Sequence, residues 1–273
     1  MLTILSETWN RRDLIRELVV KDLKLRYSRP MLGFVWAFIL PFVMTLVFCL
    51  FFSVIMKMQV KEAPYLVYLM SGIFPWRFFQ DSLTTATSSL MDNKNLLREA
   101  RFPPYFIPVS VVLANAISFL PSLAIIVVLG LLLTEGIPLF VLLLPLILIM
   151  HALVTGAFAV VLSLVYLRWR DMKFALELVL FFLFYLSPSF YSMSLVKTAM
   201  PPWALALFVF SPFTCILNLY RVTLLNGFSG YLAQFMSLGV LAGVSLLFTV
   251  GVTLFSVYFY KAREKTIYDS LSY

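Results

Sequence analysis

FIPVSVVLANAISFLPSLAIIVVLGLLL, residues Phe106–Leu133, contains no Asp, Glu, Lys or Arg. A helix that crosses about 30 Å of hydrocarbon needs roughly 20 mostly apolar residues, and this run exceeds that length. Working outward from it, comparable runs occupy Leu32–Met56, Tyr65–Leu83, Leu139–Leu167, Phe174–Met193 and Tyr231–Tyr260. The composition agrees: 62% of the chain is hydrophobic and 12% charged, where soluble domains run near half apolar and about a quarter charged. A water-soluble fold has too little interior to hide so much apolar surface, so lipid is the expected solvent.

Between the fifth and sixth runs, Lys197–Gly230 is apolar but broken by Pro201, Pro202, Pro212, Gly227 and Gly230. Its two pieces, Trp203–Phe210 and Phe213–Leu225, are each too short to cross. A re-entrant hairpin fits, because backbone that does not span is tolerated at membrane depth where protein or a water-filled cavity covers it. The other reading is eight spans, two of them very short.

The net charge of +8 has the distribution of a topology signal rather than of a nucleic-acid surface. Arg11, Arg12, Arg16, Lys21, Lys24, Arg26 and Arg29 precede the first run. Lys94, Arg98 and Arg101 follow the second, Arg168, Arg170 and Lys173 the fourth, and Lys261, Arg263 and Lys265 the sixth. The opposite side holds only Lys57, Lys61, Lys197 and Arg221. The cation-rich side is expected to be cytoplasmic, with both termini on it. The start, MLTILSETWNRRDL, lacks a basic segment followed by an apolar core, so the first span is the expected insertion signal.

Leu14, Ile15, Leu18, Val19 and Leu25 recur at helical spacing among the N-terminal cations. They predict an amphipathic interfacial helix with Asn10 as an N-cap candidate, in contrast to a merely basic flank. After the second run, a short helix over Asn95–Ala100 ends at Pro103-Pro104. Its Leu96 and Leu97, beside Lys94, Arg98 and Arg101, form either a protein-docking knob or a loop folded onto the membrane surface.

The expected fold is therefore an all-α membrane protein. It has six transmembrane helices, an N-terminal amphipathic interface helix, and a re-entrant hairpin between spans five and six on the periplasmic side. Residues 1–30 form the interface helix, and residues 31–273 a single transmembrane domain.

No GxxxxGK[ST] phosphate loop occurs, and no Lys directly follows a Gly. Backbone amides that cradle phosphates, with a Lys to reach them, are what that loop supplies, so ATP is not expected to bind this chain. Cys49 and Cys215 have no CxxC neighbour or His cluster, and no metal site is expected. The lone His151 lies within the fourth run, open to packing, a helix–helix hydrogen bond or a proton relay. Arg77 and Asp81 stand four apart in the second run and can pair on one helix face, as a polar point of a pore or as a packing bridge.

Phe34, Phe38, Phe42, Phe48 and Phe52 make one stripe on the first run, and Phe174, Phe181 and Tyr185 another on the fifth. Either they pack against lipid and helices, or they give sugar C–H faces a tolerant surface on which to slide. Trp36 can line the path or anchor at the interface. Gly239 and Gly243 permit close helix approach, expected within the chain, with a dimer seam as the other reading.

Four stretches in order carry a family resemblance: RDLIRELVVKDLKLRYSRPMLGFVWAFILP (12–41), SGIFPWRFF (71–79), NKNLLREARFPPYFIPVS (93–110), and RWRDMKFALELVLFFLFYLSPSFYS (168–192) continuing to SPFTCILNLYR (211–221). Together they resemble the permease subunit of type-two ABC exporters, in the branch that exports O-antigen, capsule or teichoic acid chains. Ser211-Pro212-Phe213 departs from the family's more usual Asn-Pro.

The resemblance implies that Lys24, Arg26 and Tyr27 belong to a gate helix at the cytoplasmic mouth. It implies that Lys94, Asn95, Leu96, Leu97, Arg98 and Arg101 form the helix that couples to an ATPase. It places spans one and five beside the channel, which makes Phe34, Phe38, Phe42, Phe48, Phe52, Phe174, Phe181 and Tyr185 candidates for a translocation path; Trp36, Arg77 and Asp81 are further candidates on the readings given above. It further implies a homodimer in a bacterial inner membrane, two copies of a separate ATP- and magnesium-binding subunit, and a lipid-linked polysaccharide as cargo. The alternatives are a permease for small molecules or drugs, and a secondary transporter outside the ABC class.

Overall fold

Ile15, Leu18 and Val19 fall on one face of α1 (Arg12–Tyr27), and all three are buried. That face is spent on the chain itself. It packs with Leu90, Leu97, Phe106, Val160, Leu164 and Tyr260 in a cluster at one end of the bundle, each buried side chain contributing roughly 1.5–3 kcal/mol. Asn10 is itself helical and Arg11 makes a turn, so Asn10 does not cap α1.

The protein is described by a computed structural model covering residues 10–27, 33–55, 57, 60, 63–100, 102–133, 136 and 138–272. Among these residues there are helices and turns and no strand. After α1, a 3₁₀ turn (Gly33–Val35) leads into α2 (Trp36–Cys49), which widens into a π-type segment over Leu50–Ile55. Then follow α3 (Tyr65–Asp92), α4 (Lys94–Ala100) and α5 (Phe106–Leu133). A 3₁₀ turn (Leu139–Leu143) precedes α6 (Leu144–Arg168), and α7 (Met172–Leu186) comes next. Three short helices, α8 (Met193–Ala199), α9 (Pro202–Val209) and α10 (Pro212–Leu224), lead through α11 (Phe228–Leu232) to the long α12 (Leu238–Ser272).

Among the described residues three helical stretches are long and apolar enough to cross a membrane: Phe106–Leu133, Leu139–Arg168 and Leu238–Arg263. The pair α9 and α10, bent by 64°, makes a fourth if counted as one broken span. The other expected crossings differ for identifiable reasons. The helix α7 stops at Leu186 after 15 residues, about 22 Å of rise, because Pro188 ends the run predicted to reach Met193. The helix α3 has 28 residues but carries Arg77, Gln80 and Asp81. In α2 the apolar stretch Phe42–Ile55 is short.

The polarity of α3 is explained by its position. It is the central helix, packed on α2, α5, α6, α7 and α10, and both its faces are largely buried. Outward faces elsewhere remain apolar: Leu132, Leu142, Leu207 and Leu247 are all exposed. A continuous apolar exterior of this kind is the surface of a protein solvated by lipid. Gly239 and Gly243 meet no neighbouring atom where a Cβ would stand. They are not packed within the chain as expected, because that face of α12 points away from the bundle.

Candidate functional site

The sequence Asn115-x-x-Ser118-x-x-x-Ser122 puts three polar side chains on one face of the apolar helix α5. That face lines a cavity of about 720 Å³. α3 supplies Arg77, Gln80, Asp81, Thr84 and Thr85, α1 supplies Arg26 and Tyr27, and α7 supplies Glu177. Rings complete the wall: Trp36 from α2, Phe74 and Phe78 from α3, Phe119 from α5 and Phe181 from α7. Apolar rings thus alternate with amides, hydroxyls and a few charges in an open recess of the bundle.

Hydrogen bonds stitch α1 along this recess. Arg26 Nη1 donates to Asn115 Oδ1, and Tyr27 Oη donates to Ser118 Oγ at 3.1 Å. One turn earlier, Ser110 Oγ donates to Asp22 Oδ2 at 3.3 Å. Burial pushes the Asp22 carboxyl above its ordinary range, against the opposing charge of Lys21 and the bond from Ser110. Lys21 Nζ reaches Asn93 Oδ1 at 2.6 Å, and Asn93 forms the junction between α3 and α4. The end of α3, the start of α4 and the cavity rim are therefore tied to one helix. Arg77 and Asp81 pair at 3.6 Å in the cavity wall.

Other predicted residues lie elsewhere. Phe42, Phe48 and Phe52 are half-buried against the main core; Phe48 and Phe52 stack on Phe190 at 6.3 and 5.2 Å. Phe174 is exposed outside the cavity, and Tyr185 packs on Phe181 at 5.0 Å. Lys24 is exposed on the outer face of α1, where it lines a separate shallow groove. The side chains of Phe34 and Phe38, and Arg101 altogether, lie outside the described residues.

The short helix begins at Lys94, one residue before the expected start, and presents its leucines differently from the docking knob. Leu97 is 6% exposed within the α1 cluster and Leu96 is half-buried against it. Their apolar surface is already used inside the chain. Among the described side chains of that helix, Asn95, Arg98 and Glu99 are the exposed ones.

Two buried polar groups outside the cavity hold the fold. His151 lies 3.2 Å from the Tyr220 hydroxyl and is flanked by Phe78 and Phe79. Arg221 is fully buried, and it donates to the Pro188 and Ser189 carbonyls in the break after α7. Sequence reading counted Arg221 among the loop cations. Nothing in its neighbourhood along the chain announces burial, since its partners come from residues 68 and 188–189. Asn115, Ser118 and Ser122 were also missed, although their i, i+3, i+7 spacing in an apolar span was a readable signal.

Comparison with known proteins bears on this arrangement. The model of the ABC-2 type transporter family matches residues 13–225. The chain belongs to that family. This ABC-2 chain is similar to an O-antigen export system permease protein, RfbA, of Myxococcus xanthus, 30% identical over 197 residues, covering 72% of this chain and 75% of the relative. It is also similar to a protein of the same name from Klebsiella pneumoniae, 27% identical over 254 residues, covering 92% and 94% of the two chains. For the ABC-2 chain, membership in the family implies a membrane setting and an ATP-binding partner.

Proposed function

We propose that this chain is the permease of an ATP-driven exporter that moves a lipid-linked, O-antigen-like polysaccharide out of the cytoplasm. The observation that carries the reading is the cavity between α1, α2, α3, α5 and α7, with rings for sugar C–H faces and amides and hydroxyls for sugar oxygens. The relatives named as O-antigen export permeases supply the substrate class.

In this reading α2, α3, α5, α6, α7 and α12 are six crossings, with α7 completed by the turn after it. α9 and α10 form a re-entrant hairpin on the periplasmic side. Support for the hairpin is the burial of α10 along nearly its whole length, which shields its backbone from lipid. Two copies of the chain pair in the bacterial inner membrane, with both termini cytoplasmic. Two copies of a separate subunit bind ATP and magnesium, and this chain hydrolyses nothing itself. The ATPase contacts α4 through Asn95, Arg98 and Glu99. α1 carries that motion to the cavity rim, and the ATPase shifts the balance between closed and open permease by binding the two states with different affinity.

Deleting the chain in its host tests this. A lipid-linked glycan should accumulate on the cytoplasmic side and disappear from the cell surface, with restoration by the wild-type chain. Normal surface glycan in the deletion strain, with no accumulated intermediate, would refute the assignment.

A further inference from the structure

We propose that the cavity selects uncharged glycans over polyanionic ones, an inference that rests on the cavity being the polymer's path. Its charged lining consists of Arg26 and Arg77 against Asp81 and Glu177. Among the described residues the lining therefore carries no surplus charge of either sign, and pairing two copies leaves that balance at zero. Arg77 is held by Asp81 at 3.6 Å, and Arg26 is within electrostatic reach of the same carboxylate. Arg77 thus faces a carboxylate and Arg26 the Asn115 amide, so both guanidiniums already have a partner in the wall.

Every other polar side chain in the wall is an amide or a hydroxyl. Neutral amides and hydroxyls suit the hydroxyl and ring oxygens of a neutral sugar, while Trp36 and Phe181 offer faces to its C–H groups. A chain with a carboxylate or phosphate in each repeat must instead bring successive anions past Asp81 and Glu177. Pores that pass anions line their walls with excess Arg or Lys, and the described residues of this wall supply none.

The test uses the full-length permease in lipid nanodiscs, titrated with maltoheptaose as neutral probe and with a galacturonate heptamer as anionic probe. Binding is read from tryptophan emission, and Trp36→Phe identifies the part of the signal that arises in the cavity. Maltoheptaose should bind about tenfold or more tightly than the galacturonate heptamer at low salt. The gap should narrow in salt, which screens exposed charges over about 10 Å at 0.1 M. The double variant Asp81→Asn, Glu177→Gln leaves Arg26 and Arg77 unopposed and should reverse the preference. If the galacturonate heptamer binds wild type as well as maltoheptaose does, charge selection is wrong while the glycan path stands. If neither probe moves the Trp36 signal, the glycan path itself falls.

Discussion

The guanidinium of Arg221 lies over the ring of Tyr68, 3.9 Å from its centroid. The same group donates to the Pro188 and Ser189 carbonyls, while Tyr68 Oη donates to the Tyr191 carbonyl at 2.9 Å and Tyr65 Oη to that of Phe190, also at 2.9 Å. One buried cation and two tyrosines thus hold the helix-free break between α7 and α8 against α3.

Replacing Arg221 should therefore loosen that break. A charged donor to a carbonyl is worth about 1.5–3 kcal/mol, and a desolvated cation–π contact about 2 kcal/mol. Arg221→Met should cost at least about 2 kcal/mol, and Arg221→Lys less, because an ammonium keeps the charge but not the planar fork. Melting temperatures in detergent should fall in the order wild type, Lys variant, Met variant. A Met variant that melts with the wild type would show that the clamp contributes nothing.

Gly72 explains how α3 comes so close. A Cβ there would fall far inside contact distance of the Ser189 carbonyl oxygen and would crowd the Arg221 guanidinium. Gly72→Ala must push the break away, at about 1–3 kcal/mol. Because Arg221→Met damages the same contact, the two losses should be less than additive in a double-mutant cycle. Strict additivity would mean that the two residues act on separate parts of the fold.

The helical class, the break at Pro212 and the short helix after Asn93 were legible because proline positions and apolar run length are local signals. Arg77 with Asp81 was legible for the same reason, being four apart on one helix. The destination of an amphipathic face is not local. The stripe Ile15, Leu18, Val19 has the same spacing whether it lies on lipid or, as here, on Leu97, Val160 and Tyr260. Nor does sequence separate a phenylalanine facing a cavity from one facing the core: Phe181 and Phe48 have similar surroundings along the chain and opposite fates.

Asp22 makes the docking of α1 depend on pH. Burial raises its carboxyl despite Lys21, so the folded chain binds this proton more readily than the unfolded one. Stability from this group is then greatest below the ordinary carboxylate pKa and declines as pH rises through the raised value. Asp22→Asn keeps an acceptor for Ser110 and removes the ionisation. At neutral pH it should melt at or above the wild type, and its advantage should fade as the medium is acidified. An advantage that persists or grows at acid pH would contradict desolvation as the cause.

The bond from Lys21 to Asn93 links the α3–α4 junction to the helix that carries Arg26 and Tyr27 into the cavity. Five residues, about 7.5 Å along a helix, separate Lys21 from Arg26, so displacement at one end is delivered at the other with little slack. Asn93→Ala also removes the bond from Asn93 Nδ2 to the Ser89 carbonyl, whereas Lys21→Met removes the link together with the ion pair to Asp22 at 3.6 Å and keeps the apolar stem. Lys21→Met should cost about 1–2 kcal/mol of stability, leave association with the ATPase intact, and reduce glycan export more than ATP hydrolysis. If Lys21→Met lowers export and hydrolysis in equal proportion, the contact supports the fold without transmitting motion. If export is untouched, α1 reaches the cavity by another route.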